Sequence, residues 1–241
     1  MSNAFRKILT PVFVMLWALL APPSAALAAE EVDLLLVLAS DVSRSVDQPK
    51  FQLQREGYAA AVSNPRVLDA IASGPNHRIA ICFLEWSGAG NQKLVIDWSI
   101  ISDANSARAF GDQLVEAPRS FADRTSISGG LEFAMAQFER APYSAKRRTI
   151  DVSGDGTNNS GRDVGMVRNE IVAQGVTING LVILSERPLP WNPEHTNPPG
   201  AFVIVAEDFK SFGQALISKL IAEIASLPPR RQAAMRPARG D

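Results

Sequence analysis

The stretch VDLLLVLASDVSRS, residues 32–45, joins a continuous apolar run to a short polar loop. An uninterrupted apolar run of this length is typical of a strand buried on both faces of a parallel sheet. The loop that follows places one carboxylate and two hydroxyls at alternate positions, Asp41, Ser43 and Ser45. Alternate residues of a loop after a strand can point the same way, so these side chains can line one concavity at the strand end.

Apolar runs of strand length alternate with segments of helical periodicity along the rest of the chain. The predicted strands cover residues 32–40, 78–87, 93–101, 147–154, 176–184 and 201–206. The predicted helices cover residues 48–62, 102–116, 126–140, 163–174 and 211–226. This alternation indicates an α/β fold with helices on both faces of a doubly wound, mostly parallel six-stranded sheet. The short link GAGN between the second and third strands predicts a hairpin, which makes the third strand an antiparallel edge strand.

The ends of two predicted strands carry the acidic residues of interest. In a doubly wound sheet, ligands bind outside the carboxyl ends of the strands, where the strand order reverses. Asp41 follows the first predicted strand and Asp155 follows the fourth, so the two carboxylates converge if these strands are neighbours. Gly154 and Gly156 flank Asp155 and permit a sharp backbone turn beside it.

The N-terminal residues 1–28 have the features of a secretory signal peptide. Arg6 and Lys7 precede an apolar segment, and Ala-Leu-Ala at residues 26–28 forms a cleavage signal. An uncleaved membrane anchor is the alternative, although the apolar run is short for a membrane span. Cleavage after Ala28 predicts a secreted or periplasmic protein with one domain over residues 29–227. The remaining residues 228–241 are predicted to be a disordered basic tail.

Length, composition and charge restrict the classes of function. A chain of 241 residues that is 46% hydrophobic can build one sizeable core and is too short to make two domains likely. The formal net charge of -1 provides no general attraction to nucleic acid or to an anionic membrane. The single cysteine, Cys82, cannot form an internal disulfide, and the two histidines, His77 and His195, have no partner at zinc-ligand spacing.

The polar residues expected at the strand ends form an oxygen-rich set. They are Asp41, Ser43, Ser45, Thr125 and Asp155. A small hard cation such as Mg²⁺ prefers carboxylate, hydroxyl and water ligands, and Mn²⁺ or Ca²⁺ can take its place. The alternative interpretation is that the first three residues cap the helix that begins near residue 48, because Asp and Ser are favoured at such positions.

Three short motifs carry a resemblance to a known family. DVSRS at residues 41–45, Thr125 ahead of a helix, and SGDG at residues 153–156 resemble, in order and spacing, the metal-ion-dependent adhesion site of von Willebrand factor type A (vWA) domains. The resemblance covers residues 32–226 and extends to a bacterial family of secreted, uncharacterised proteins built on this domain.

The resemblance assigns a role to each candidate metal ligand. It implies that Ser43 and Ser45 coordinate a cation through their hydroxyls and that Thr125 is a direct ligand in the ligand-competent form. Asp41 and Asp155 are implied to act largely through water, or to exchange into direct contact with the cation. The family pattern leaves one coordination position open, and an Asp or Glu carboxylate of a partner protein completes it.

The leading functional hypothesis is therefore a secreted, metal-dependent protein-binding module that is not an enzyme. A metal-dependent hydrolase that uses Asp41 and Asp155 is the first alternative, and a phosphoesterase is the example considered. The hydroxyl-rich ligand set argues against it, as does the lack of a His, Lys or Glu near the motifs to act as a general base. A metal-free structural domain of the same fold is the second alternative.

Several residues outside the ligand set also carry predictions. Asn158 and Asn159 are expected to be turn residues, with a supporting role at the site as the alternative. Asp151 lies inside the fourth predicted strand and is expected to pair with an arginine. Arg44 is expected to point outward, and Trp191, in a Pro-rich loop, is a candidate for partner contact.

Overall fold

A computed structural model describes residues 29–184 and 201–225 of the chain. The predicted signal peptide, the Pro-rich loop with Trp191 and the predicted basic tail lie outside the described residues. Among the described residues, no helix is both long enough and apolar enough to cross a membrane.

The described residues form eight strands and six helices in the alternating order that the sequence predicts. The strands are β1 (Glu30–Glu31), β2 (Leu35–Asp41), β3 (Ile79–Trp86), β4 (Gln92–Ile101), β5 (Tyr143–Ser144), β6 (Arg148–Gly154), β7 (Thr177–Ile183) and β8 (Val203–Ala206). The helices are α1 (Gln48–Val62), α2 (Pro65–Ala72), α3 (Ala104–Glu116), α4 (Ile127–Glu139), α5 (Val164–Val172) and α6 (Phe212–Ile224).

The main sheet has six strands in the order β4-β3-β2-β6-β7-β8. All neighbouring pairs are parallel except β3 and β4, which form the predicted antiparallel hairpin at one edge. The prediction of a doubly wound, mostly parallel α/β sheet is thus confirmed. Strand order reverses between β2 and β6, where Ser40 pairs with Ser153, so the two strands end at the same level. This is the point at which such sheets bind ligands.

The central strand β2 is buried along its whole length because helices cover both faces of the sheet. Leu36 and Leu38 pack into a core with residues of α1, α2, α3 and α6. The alternate residues Leu35 and Val37 pack into a second core with residues of α4 and α5. The alternation of strand side chains therefore divides the residues of one apolar run between two cores.

The sequence analysis did not predict helix α2 or the two-residue pairing of β1 with β5. Helix α2 has only eight residues, and its N-terminus is capped by the side chain of Asn64, which accepts a hydrogen bond from the backbone of Arg66. Its buried positions, Val67 and Ile71, are one turn apart. A segment of little more than two turns is too short to establish a helical period from the sequence.

Helices α1 and α6 approach closely because a glycine of each lies at their contact. A Cβ on Gly57 would lie 2.7 Å from Cδ1 of Phe212 and 3.3 Å from Cα of Gly213. We expect Gly57→Leu to lower the free energy of unfolding by about 1–3 kcal/mol through overpacking. Ala60→Leu, at an exposed position of the same helix, is the control and should change it by less than about 0.5 kcal/mol. Urea denaturation measures both, and equal stability of the two variants would contradict this packing.

Candidate metal site

The carboxyl ends of β2 and β6 bring the two predicted acidic residues to one edge of the sheet. Asp41 is the last residue of β2, and Asp155 directly follows β6. Their exposed fractions are 0% and 5%, although both lie at strand ends where the backbone turns toward solvent. The adjacency of the strands, which the sequence could only suppose, places the two carboxylates together.

A continuous chain of contacts joins these carboxylates through the two serines of the β2–α1 loop. The backbone N–H of Ser43 donates to Oδ1 of Asp41 at 2.7 Å. The hydroxyl oxygens of Ser43 and Ser45 lie 3.1 Å apart. The Ser45 hydroxyl then donates to Oδ1 of Asp155 at 2.5 Å. Four of the five predicted site residues are therefore linked by direct contacts.

The fifth predicted residue, Thr125, lies immediately before helix α4 and beside the loop that carries Asp155. A Cβ on Gly156 would lie 3.6 Å from the Thr125 hydroxyl oxygen, and Thr125 is 7% exposed. The structure thus places the threonine at the same edge, facing the turn after β6.

Asn159 joins the Thr125 loop to the Asp155 loop by two hydrogen bonds. Its side-chain oxygen accepts from the backbone N–H of Thr125 at 3.0 Å. Its own backbone N–H donates to the Thr125 carbonyl oxygen at 2.9 Å. Asn158 makes a similar connection one residue earlier, because its side-chain oxygen accepts from the backbone N–H of Ser128 at 3.2 Å. Both asparagines therefore hold two segments together, and the backbone there is irregular instead of forming the predicted turn.

We predict that Asn159→Ala weakens divalent-cation binding about 10-fold or more, because it removes the side-chain oxygen that accepts from the backbone N–H of Thr125. The unfolding transition should change little, since Asn159 is exposed. Asn169→Ala, at an exposed position on α5, is the matched control and should bind as the wild type does. Calorimetric titration with Mn²⁺ measures the difference, and wild-type affinity in Asn159→Ala would contradict the positioning role.

The sequence analysis missed an arginine that hydrogen-bonds to the backbone of the β2–α1 loop. Arg119 donates from Nη2 to the carbonyl oxygens of Val42 and Ser43, at 2.6 and 2.9 Å. It also donates from Nε to the carbonyl oxygen of Phe121 at 2.7 Å. These contacts tie the loop of Ser43 to the segment that leads to Thr125. A single arginine in a connecting segment belongs to no motif or period, so only the folded structure reveals it.

The sequence analysis also missed a buried ion pair. Arg55 of α1 donates to Oε1 of Glu85 in β3 at 2.5 Å, and the two side chains are 4% and 0% exposed. The other oxygen of Glu85 accepts from the backbone N–H of Ser120 at 2.8 Å. This ion pair therefore anchors the segment next to Arg119 onto the sheet.

The buried environment raises the pKa of both candidate carboxylates. Burial and the negative charge of Asp155 together raise the pKa of Asp41 to about 7, against the opposing hydrogen bonds from Ser43. Burial also raises the pKa of Asp155, while the Ser45 hydroxyl and the charge of Lys50 act in the opposite direction. Ionisation of one carboxylate is unfavourable beside the other. A cation bound between them would stabilise both in the charged form.

Within the described residues, one oxygen of the Asp41 carboxylate and one of the Asp155 carboxylate accept no hydrogen bond. These atoms are Oδ2 of Asp41 and Oδ2 of Asp155, and both are inaccessible to solvent. A buried, charged oxygen without a partner is costly, so such atoms ordinarily face a ligand, water or ion. The described part of the chain contains no group of three or more His, Cys, Asp or Glu side chains arranged for a metal. Metal binding here would therefore depend on the hydroxyls as much as on the two carboxylates.

The structure corrects two interpretations from the sequence and confirms a third. Helix α1 is capped by Asp47, whose side chain accepts from the backbone of Lys50, so the interpretation of the preceding loop as a helix cap is wrong. Asp151 lies 2.7 Å from Lys219, so its predicted pairing with an arginine is also wrong. The side chain of Arg44 is 77% exposed and points outward, as predicted.

Comparison with known proteins adds a family and a fold. A family model described as "Protein of unknown function (DUF1194)" matches residues 31–228. No curated protein matches the chain. Solved structures with a similar fold include proximal thread matrix protein 1 from the mussel byssus, in a form described as having a zinc-occupied MIDAS motif. It has a TM-score of 0.60 and 16% identity over 81% of this chain and 49% of that chain.

Two other similar structures come from bacteria. A von Willebrand factor type A protein from Catenulispora acidiphila has a TM-score of 0.57 and 17% identity over 80% of this chain and 43% of that chain. The pilus adhesin SpaC from Lactobacillus rhamnosus GG has a TM-score of 0.57 and 15% identity over 82% of this chain and 30% of that chain. The chain thus spans less than half the length of these three proteins. At this level of identity the likeness establishes the vWA fold alone.

Proposed function

Since the chain belongs to the DUF1194 family and has the fold of a von Willebrand factor type A domain, we propose that it is a metal-dependent protein-binding module. It holds a divalent cation at the edge formed by β2 and β6, and the cation accepts a carboxylate from a partner protein. The module works outside the cytoplasmic membrane, secreted or periplasmic, once residues 1–28 have been removed. The binding unit is residues 29–227, followed by the basic tail.

One observation carries the proposal: five oxygen-bearing side chains lie at one edge, and two of their carboxylate oxygens are buried without a donor among residues 29–184 and 201–225. In the proposed site, hydroxyls of Ser43, Ser45 and Thr125 and carboxylates of Asp41 and Asp155 hold the cation, directly or through water. This set of hard oxygen ligands fits Mg²⁺, and it accepts Mn²⁺ or Ca²⁺. The zinc-occupied motif of the mussel protein supports a divalent cation in general.

The ligand set favours binding of an external carboxylate. In the proposed site the two carboxylates act largely through water, so the direct ligands are mainly neutral hydroxyls and the cation attracts an anion from outside. Lys50 acts electrostatically on Asp155, and its Nζ donates to the Ser45 carbonyl oxygen at 3.0 Å. This contact ties the lysine to the loop backbone, so we propose binding rather than hydrolysis.

The proposed affinity for the cation depends on pH because a proton competes for Asp41. The pKa of this carboxyl is raised to about 7, so the metal-free protein holds a proton there below that pH. Ligands must be deprotonated to bind a metal, and we therefore expect affinity for Mn²⁺ to fall about 10-fold from pH 8 to pH 6. Calorimetry in two buffers of different ionisation enthalpy measures both the affinity and the protons released. Affinity that stays constant between these pH values would contradict the raised pKa.

The proposed function is tested by titrating a short peptide into the Mn²⁺-loaded protein. The probe contains one central Asp in an otherwise uncharged sequence, and its matched control has Asn at that position. The proposal expects the Asp peptide to bind only when metal is present, and the Asn peptide and the chelated protein not to bind. Metal binding without any preference for the Asp peptide would leave a cation site but would reject the docking function.

A further inference from the structure

A lysine and two carboxyl groups lie together in the core between helix α6 and the sheet. Nζ of Lys219 lies 2.7 Å from Oδ2 of Asp151 in β6 and 2.6 Å from Oε1 of Glu223, one turn further along α6. The side chain of Asn179 in β7 donates to the same Glu223 oxygen at 2.8 Å. The exposed fractions of Lys219 and Asp151 are 0%, and that of Glu223 is 3%. We call these four residues the buried lysine cluster.

The charges of the buried lysine cluster do not balance. One amine faces two carboxyl groups, so full ionisation would leave a net negative charge in the protein interior, at a high desolvation cost. Burial raises the pKa of Asp151 to about 7, since it outweighs the nearby Lys219 charge, and the charge of Glu223 adds to the increase. The uncharged form of the Asp151 carboxyl group is therefore accessible near neutral pH.

The geometry between Lys219 and Asp151 is that of a close contact without a hydrogen bond. Within the described part of the chain, neither oxygen of Asp151 has a hydrogen-bond donor, although the amine nitrogen is 2.7 Å from one of them. The same nitrogen donates to Glu223. Reacting groups held next to each other in a fixed arrangement have high effective concentrations.

From this geometry we propose that Lys219 and Asp151 are joined by an intramolecular amide bond, with Glu223 transferring the protons. A desolvated, uncharged lysine amine is a competent nucleophile. Asn179 keeps Glu223 oriented through its hydrogen bond. The bond is independent of the proposed metal site and of the proposed function, because it joins residues in the interior of β6 and α6.

The condensation is balanced without any oxidant or co-reactant. The neutral Lys219 nitrogen attacks Cγ of the protonated Asp151 carboxyl group, and the Nζ–Cγ bond forms. Glu223 protonates the departing oxygen and takes up the proton that the nitrogen loses, so it ends as it began. The Cγ–O bond breaks and one water molecule leaves the dry interior. The net charge of the buried lysine cluster is the same before and after the step, and the product replaces two ionisable groups of the dry interior with one neutral amide.

Intact mass spectrometry of the denatured full-chain protein tests the proposal. We expect the wild-type mass to fall below the mass calculated for the observed N-terminus by one water. Glu223→Gln and Lys219→Arg should each show the full mass calculated for their sequence, whereas the control Lys210→Arg should still lack one water. A full mass for the wild type overturns the proposal, and a loss of ammonia overturns the assignment to Asp151, because it would identify Asn179 as the reacting group.

Peptide mapping of the wild type provides a test that does not require the variants to fold. Trypsin does not cleave after a lysine whose amine is acylated. We therefore expect a branched product in which residues 149–162 are joined to residues 211–230. Recovery of both peptides unlinked, with cleavage after Lys219, overturns the proposal.

Discussion

Replacing Asp41 with alanine is expected to weaken Mn²⁺ binding about 100-fold or more, because it removes one of the two carboxylates at the proposed site. The metal-free protein should not lose stability in the same way. The folded-state pKa of Asp41 is raised to about 7, above that of the unfolded chain, so the carboxyl group stabilises the fold only while it is protonated. Above pH 7 its buried charge opposes folding, and we expect metal-free Asp41→Ala at pH 8 to be at least as stable as the wild type.

Calorimetry and thermal unfolding together measure these two effects. Asp155→Ala should lose binding as well, because its carboxylate faces the same edge. Asp97→Ala is the matched control, since that carboxylate is exposed and forms a surface ion pair with Arg140. Undiminished Mn²⁺ affinity in Asp41→Ala would remove Asp41 from the site, and an equal loss in Asp97→Ala would show that binding is non-specific.

Replacing Arg55 with leucine is expected to lower the free energy of unfolding by about 3–5 kcal/mol, because it leaves the charge of Glu85 buried without its partner. The guanidinium also stacks between Phe51 and Phe83, at 5.0 and 4.8 Å from the ring centroids, so packing is lost together with charge. Glu85 holds the backbone of Ser120 as well. We therefore expect the segment that leads to Thr125 to loosen in this variant.

A double variant separates the unpaired charge from the lost packing. Arg55→Leu combined with Glu85→Leu should recover at least part of the stability, because apolar replacements for a buried ion pair are often tolerated. Arg66→Leu, at an exposed position on α2, should cost less than about 0.5 kcal/mol. Urea denaturation is the measurement. A free energy of unfolding for Arg55→Leu within about 1 kcal/mol of the wild type would contradict a stabilising role for this buried pair.

The features that could be predicted from the sequence are those that depend on residues close together along the chain. Strand β2 and its loop were predictable because an apolar run and the spacing of Asp41, Ser43 and Ser45 are local patterns. The position of Asp155 beside them required only that β2 and β6 be adjacent, which the alternation of strands and helices favours. Thr125 was recognised through its resemblance to a family motif, since an isolated threonine has no local signal of its own.

The buried ionic contacts could not be predicted in the same way, because their partners are distant in the sequence. Glu85, Asp151 and Lys219 are charged residues within apolar segments, and each is buried with a partner from another element. A charge inside an apolar run therefore signals a buried contact, because such a charge is costly unless it is paired. It does not identify the partner, which explains why an arginine was expected beside Asp151 instead of a lysine.

The central claim is that residues at the ends of β2 and β6 hold a divalent cation, and anomalous X-ray diffraction from crystals grown with Mn²⁺ tests it most directly. The account predicts an anomalous peak within coordination distance of the Ser43 and Ser45 hydroxyls, next to Asp41, Thr125 and Asp155. It also predicts that crystals of Asp41→Ala grown in the same way lack this peak. Wild-type crystals with no anomalous peak at this edge, or with Mn²⁺ bound only elsewhere, would contradict the account.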